Sequence, residues 1–178
     1  MGFEAVVEGV KALFSSPPTD LISAIKKDHE GLRQFIGVLK DTTRDMAERR
    51  RAAELFASLL KSHTVAEEAA VYKPMEERAD HELVIRIEEG FVEHDAADMV
   101  MAKLEAATDH NVWSAHANVL AELVEHHLDE EEKEMFPLIK KQIPKKLEPE
   151  LIVSFLALRA STQQKITDKN AGVLSVMQ

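Results

Sequence analysis

Apolar residues recur every three or four positions along most of this chain, with polar residues filling the intervals. That period marks amphipathic helices. Phe3, Val6, Val7, Val10, Leu13 and Phe14 form the first stripe and predict an N-terminal helix within residues 1–16. Ser15, Ser16, Pro17 and Pro18 break it and form a linker. Thr19 or Asp20 can cap the next helix, whose stripe runs Ile22, Ile25, Leu32, Ile36, Leu39 and fades at Asp41–Asp45. A second stripe over 47–72 carries Phe56, Leu59, Leu60, Ala66, Ala70 and Val71, and Pro74 closes it. A third over 81–108 carries Leu83, Ile87, Phe91, Ala97, Met101 and Leu104. A fourth over 112–141 carries Leu120, Leu123, Met135 and Leu138 and closes at Pro144. Pro149 suits the first turn of a short helix over 148–160, with Leu151, Ile152, Phe155 and Leu156 on one side. The polar segment 161–178, weakly apolar at Val173–Met177, reads as a partly disordered tail or a subunit contact.

Each long stripe is interrupted where Leu would ordinarily sit. His29 interrupts the first long helix, His63 and Glu67 the second, His94 the third, with Asp98 one turn on, and His127 and Glu131 the fourth. These interruptions repeat. His63, Glu67, Glu68 and Tyr72 map onto His127, Glu131, Glu132 and Phe136 at an offset of 64, and Asp28–His29 maps onto Glu93–His94 at 65. The chain therefore contains two helical hairpins, each with a lone His on its first helix and His-x-x-x-Glu on its second. Two such hairpins related by a pseudo-twofold build an all-α, up-and-down four-helix bundle over 19–144. The N-terminal helix and the short C-terminal helix are additions to it.

Composition narrows the chemistry. With 178 residues the chain is long enough for one domain with a sizeable core. A formal charge of −10 argues against a nucleic-acid partner, because phosphates call for a basic face. The chain has no cysteine, which removes disulfides, thiolate catalysis and sulfur-ligated metals. No apolar run is long enough to cross a bilayer and no basic leader precedes an apolar segment, so a cytoplasmic protein without membrane contact is expected.

Residues four apart on a helix share a face, one turn of about 5.4 Å apart, so His and Glu at that spacing can address one small volume. Two such pairs and two lone His bring four imidazoles and two carboxylates to the bundle axis. A core position does not tolerate an unpaired carboxylate, which costs several kcal/mol and calls for a cation or hydrogen bonds. Six ligands exceed what one tetrahedral zinc needs. They suit two metals, each with two imidazoles, bridged by Glu67 and Glu131, with positions left for a small ligand. Nitrogen and oxygen donors without sulfur point to iron, with manganese or zinc as alternatives.

On Asp28–His29, His63-x-x-x-Glu67–Glu68, Glu93–His94 and His127-x-x-x-Glu131–Glu132 with Phe136–Pro137, the chain resembles the hemerythrin-like, HHE cation-binding family over Thr19–Lys141. The resemblance implies a non-haem, carboxylate-bridged di-iron centre, with His29 and His63 on one iron, and His94 and His127 on the other. It also implies dioxygen, peroxide, nitric oxide or iron handling. The oxygen-carrying members have a further His one turn after the third-helix His. Here Asp98 stands there, as a seventh ligand, a group behind the ligands or a surface residue. An aspartate at the metal would favour oxidised ions and weigh against reversible oxygen carriage.

Other readings compete. His126-x-x-x-Glu130 has the same spacing as His127-x-x-x-Glu131, and the register of Phe136 with Tyr72 selects His127. His94–Asp95 invites comparison with metal-dependent hydrolases, although adjacent helical residues diverge by about 100°. A third reading is an interaction module stabilised by metal, with the N-terminal helix or the tail as a homodimer contact.

Overall fold

The computed structural model describes residues 2–176, with side chains described as far as Lys169. Six helices account for its regular structure, and no strand occurs among the described residues. Helix α1 spans Phe3–Leu13 and α2 spans Leu21–Lys40. Helix α3 spans Met46–Glu67 and continues through a π-helical turn, Glu68–Tyr72, into a last turn, Lys73–Glu76. Helix α4 spans His81–Ala106. Helix α5 spans His110–Glu130 and likewise continues through a π-helical turn, Glu131–Met135, into Phe136–Gln142. Helix α6 spans Glu148–Val176. Helices α2 to α5 form the four-helix bundle, α1 packs on α2, and α6 lies across α2 and α3.

Local chemistry starts these helices where it should. Of the two candidate caps, Asp20 is the one used. Its side chain accepts from the Ser23 amide at 2.8 Å, and the Ser23 hydroxyl accepts from the Asp20 amide at 3.0 Å. Asp45, Asp80 and Asp109 cap α3, α4 and α5 by accepting from first-turn amides, without the reciprocal bond.

The C-terminal helix is longer than its apolar residues predict. It runs past residue 160 because no Gly or Pro follows Pro149 until Gly172, and polarity alone does not stop a helix. Surface bonds one turn apart, Gln164 to Asp168 at 2.8 Å and Thr167 to the Gln163 carbonyl at 3.0 Å, carry it onward. The weakly apolar end at Val173–Met177 lies outside the described side chains. No helix among the described residues is long and apolar enough to cross a membrane.

Two separate apolar clusters fill the bundle. One gathers Leu32, Ile36 and Leu39 with Phe56, Leu60, Met101, Leu104, Trp113 and Leu120. The other gathers Ile22, Ile25, Val71, Met75, Leu83, Ile87, Met135, Phe136, Leu151 and Phe155. On each of the four helices, the interrupting His or Glu falls in the gap between the two clusters. A polar layer therefore crosses the bundle with apolar packing on both sides.

A candidate dinuclear metal centre

His29, His63, Glu67, His94, His127 and Glu131 are all buried, the most exposed being His94 at 4%. One donor atom each from His29, His63, Glu67 and Glu131 lies within 4.8 Å of the others, and Glu67, His94 and His127 make a second such group. Glu67 belongs to both. Its Oε2 lies 3.4 Å from His63 Nε2 and 3.7 Å from His94 Nε2. Glu131 mirrors it, with Oε2 3.2 Å from His29 Nε2 and 3.5 Å from His127 Nε2. Each carboxylate thus stands between one imidazole of each pair. The rings of His29 and His63 lie 5.1 Å apart between centroids, and those of His94 and His127 lie 4.7 Å apart.

Four further carboxylates fix the imidazoles from behind. Glu132 meets His29 Nδ1 at 2.9 Å, Glu68 meets His94 Nδ1 at 2.9 Å, and Glu93 meets His127 Nδ1 at 2.7 Å. Asp28 approaches His63 Nδ1 at 3.6 Å. Each outer carboxylate adjoins a ligand-type residue of one helix and serves the His of another. With Nδ1 of His29, His94 and His127 so occupied, Nε2 of each of these rings faces inward as an acceptor, the form in which imidazole binds metal; Asp28 stands just beyond hydrogen-bond reach of His63 Nδ1.

Most of the partnerless buried polar atoms belong to this layer. His29 Nε2, both nitrogens of His63, both oxygens of Glu67 and Glu131 Oε2 are buried and make no hydrogen bond. Orphaned buried polar atoms cost about 1–3 kcal/mol each, so a cluster of them calls for a cation. His94 Nε2 and His127 Nε2 meet at 3.0 Å, a contact that fails if both are lone-pair acceptors. The electrostatics of the layer point the same way. Burial raises Glu67 well above the usual carboxylate range, and the neighbouring Glu131 adds to it. Burial also works against charge on Glu131, but His127, His29 and His63 outweigh it and hold that carboxyl low. Burial pushes His63 down to about 4. A bound cation would offset the burial that works against charge on Glu67. These donors fit two cations.

Asp98 does not join them. It is exposed and pairs with Lys61 at 2.6 Å. Although one turn from His94, it lies on the outer flank of α4, so it adds no negative charge at the centre. The oxygen-carriage argument built on that charge fails with it. Asp95 is exposed on the same helix, which leaves the hydrolase reading without its second group. His126 is 62% exposed in its side chain and pairs with Glu130 at 3.3 Å, outside the layer that holds His127. His116 bonds the Val112 carbonyl of its own helix.

Tyr72 is the residue whose part was least visible in the sequence. Nine residues past His63, an α-helix would place it about 180° away. The π-helical turn inserts a residue, worth about 100° of phase, and brings it round to the site. Its ring stacks on His94 at 5.6 Å and 10°, and its hydroxyl donates to Glu131 Oε1 at 2.5 Å. Phe136, after the second π turn, stacks in the matching place on His29 at 5.6 Å and has no hydroxyl to offer. The only sequence signals for these turns are Pro74 and Pro137, which cannot donate to the carbonyl four residues back.

An all-helical bundle with a buried, histidine- and carboxylate-lined cation site defines the class. The family model for the hemerythrin HHE cation binding domain matches residues 20–139, and this chain belongs to that family. The match covers α2 to α5 and leaves out α1 and α6. Searches of curated proteins and of solved structures gave no match.

Proposed function

We propose that this protein holds two iron ions, His29 and His63 on one and His94 and His127 on the other, with Glu67 and Glu131 bridging. The observation that carries this reading is the set of partnerless buried donor atoms, with each bridging oxygen placed between two imidazoles from different pairs. Two bound ferrous ions would supply electrons to a small oxidant. The protein's own residues do the rest. The outer carboxylates hold the imidazole tautomers, Tyr72 donates to Glu131, and the two apolar clusters keep bulk water away.

Burial also bears on the substrate. Ligand residues no more than 4% exposed shield the centre from a group as bulky as a phosphoester, which favours a molecule of a few atoms. Dioxygen, peroxide or nitric oxide fits that limit, in a role of sensing, reduction or iron handling. Anaerobic reconstitution of metal-free protein with ferrous iron, followed by metal analysis, is expected to give two irons per chain. Exposure to dioxygen is then expected to change the near-ultraviolet and visible spectrum. A stoichiometry well below two would end the dinuclear reading.

A further inference from the structure

The two halves of the centre share a design but not their surroundings. Both carboxylates behind the first hairpin's imidazoles are clamped by cations. Glu132, behind His29, receives Arg33 at 2.6 Å and Lys26 at 3.0 Å. Asp28, behind His63, receives Arg159, whose Nε lies 2.7 Å and 2.8 Å from its two oxygens. Arg159 comes from α6, outside the span that the family match covers. Phe155, one turn earlier on α6, is fully buried and packs edge-on against the His63 ring, with centroids 6.4 Å apart. Arg159 in turn lies over Phe14, next to the end of α1, at 4.2 Å, so both added helices meet at this residue.

The second hairpin's imidazoles have no such cover. Glu93 corresponds to Asp28 at the offset of 65, and Glu68 corresponds to Glu132. Among the described residues neither receives a hydrogen bond or ion pair from Lys or Arg. Where α6 covers Asp28, the equivalent face of α4 and α5 is a groove of about 480 Å³ lined by Val84, Ile85, Val92, Glu93 and Glu130, among others. Its wall includes Glu93, one hydrogen bond from His127. Asp28 is 1% exposed in its side chain, and Glu93 is 20%.

We propose that α6 makes the centre unequal: Arg159, as a positioning residue on Asp28, locks the His29/His63 position, and the His94/His127 position exchanges its metal through the α4/α5 groove. The physical ground is the freedom of the outer carboxylate. A ligand His whose partner carboxylate is clamped cannot turn away from its metal, whereas Glu93 and Glu68 can swing toward water and release theirs. Disturbing such supporting groups ordinarily costs about 10–100-fold in metal affinity.

The inference rests on the two-metal reading, and one experiment separates them. Full-length protein is loaded anaerobically with ferrous iron, mixed with excess chromogenic ferrous chelator, and followed by absorbance. Release is expected in two phases of equal amplitude, about tenfold or more apart in rate. His94→Ala should remove the fast phase. Arg159→Gln should speed the slow phase about tenfold while leaving the fast phase alone, and Arg159→Lys should restore most of the difference. Fewer than two irons at the outset overturns the dinuclear reading and the inference with it. Two irons released at one rate overturn the inference alone. So does Arg159→Gln if it accelerates both phases equally, the mark of general loosening, or changes neither.

Discussion

Tyr72 breaks the symmetry of an otherwise duplicated site. Its hydroxyl is buried with Glu131 as its acceptor, and burial together with Glu131 and Glu67 pushes its ionisation well above the ordinary phenol range. It therefore stays a neutral donor. Tyr72→Phe recreates the arrangement that Phe136 already has, so the fold should survive, while Glu131 loses a hydrogen bond. Metal affinity, measured by competition with a chelator, is expected to fall about tenfold or more. Gly90 serves the same side chain. A Cβ there would meet the Tyr72 oxygen at 2.7 Å and a ring carbon at 2.8 Å. Ala for Gly gains about 1 kcal/mol in helix propensity, but forcing a fully buried ring aside costs about 1–3 kcal/mol. The clash is with the ring itself as well as its tip, so overpacking should win. Gly90→Ala is expected to lower the urea midpoint and weaken metal binding together.

At the scale of elements, the joins between helices depend on side chains that periodicity does not reveal. Arg49 is buried at the start of α3, donates from Nε and Nη2 to the Leu39 carbonyl at 3.1 and 2.7 Å, and reaches Ser114 on α5 at 2.9 Å. Its guanidinium also lies 5.2 Å from the Trp113 ring. One residue thus closes the C-terminal end of α2 and ties α2, α3 and α5 together. Arg49→Met should cost about 2 kcal/mol in chemical denaturation, since it removes charge-assisted bonds and leaves a carbonyl unmet. Helix starts were more legible than these joins. Asp20 capping depends only on its neighbours up to Ser23, whereas the work of Arg49 depends on Leu39 and Ser114, ten and 65 residues away. The π turns fall between the two: their prolines are visible, but the rotation they impart shows only once His94 and Glu131 are in place.

For the whole molecule, the polar layer is a cost that bound metal would recover. Six ligand-type side chains occupy the gap between two apolar clusters, and several of their atoms have no partner. Metal that binds the folded state alone raises its stability by mass action. Removal of metal by a chelator should lower the melting temperature, and readdition should restore it. His63→Ala and His127→Ala should lower metal content and melting temperature together. A melting temperature indifferent to metal would contradict the linkage between site and fold.

Local periodicity and a repeated spacing of one helical turn were enough to specify the helical class, the bundle and the six residues of the layer. His127 was preferred to His126 on the register of Phe136 with Tyr72, and the structure puts it in the layer. Spacing could not decide Asp98. One turn from His94 is near enough to join the layer, but α4 presents that flank to Lys61 and water. Nor could it show which outer carboxylate serves which imidazole, since Asp28 with His63 and Glu93 with His127 are pairings between helices. The length of α6 and the placing of Arg159 on Asp28 were equally out of reach, for that contact joins residues 131 positions apart. Period and spacing are properties of one helix at a time. The second layer of carboxylates, and the difference between the two halves of the centre, exist only where helices meet.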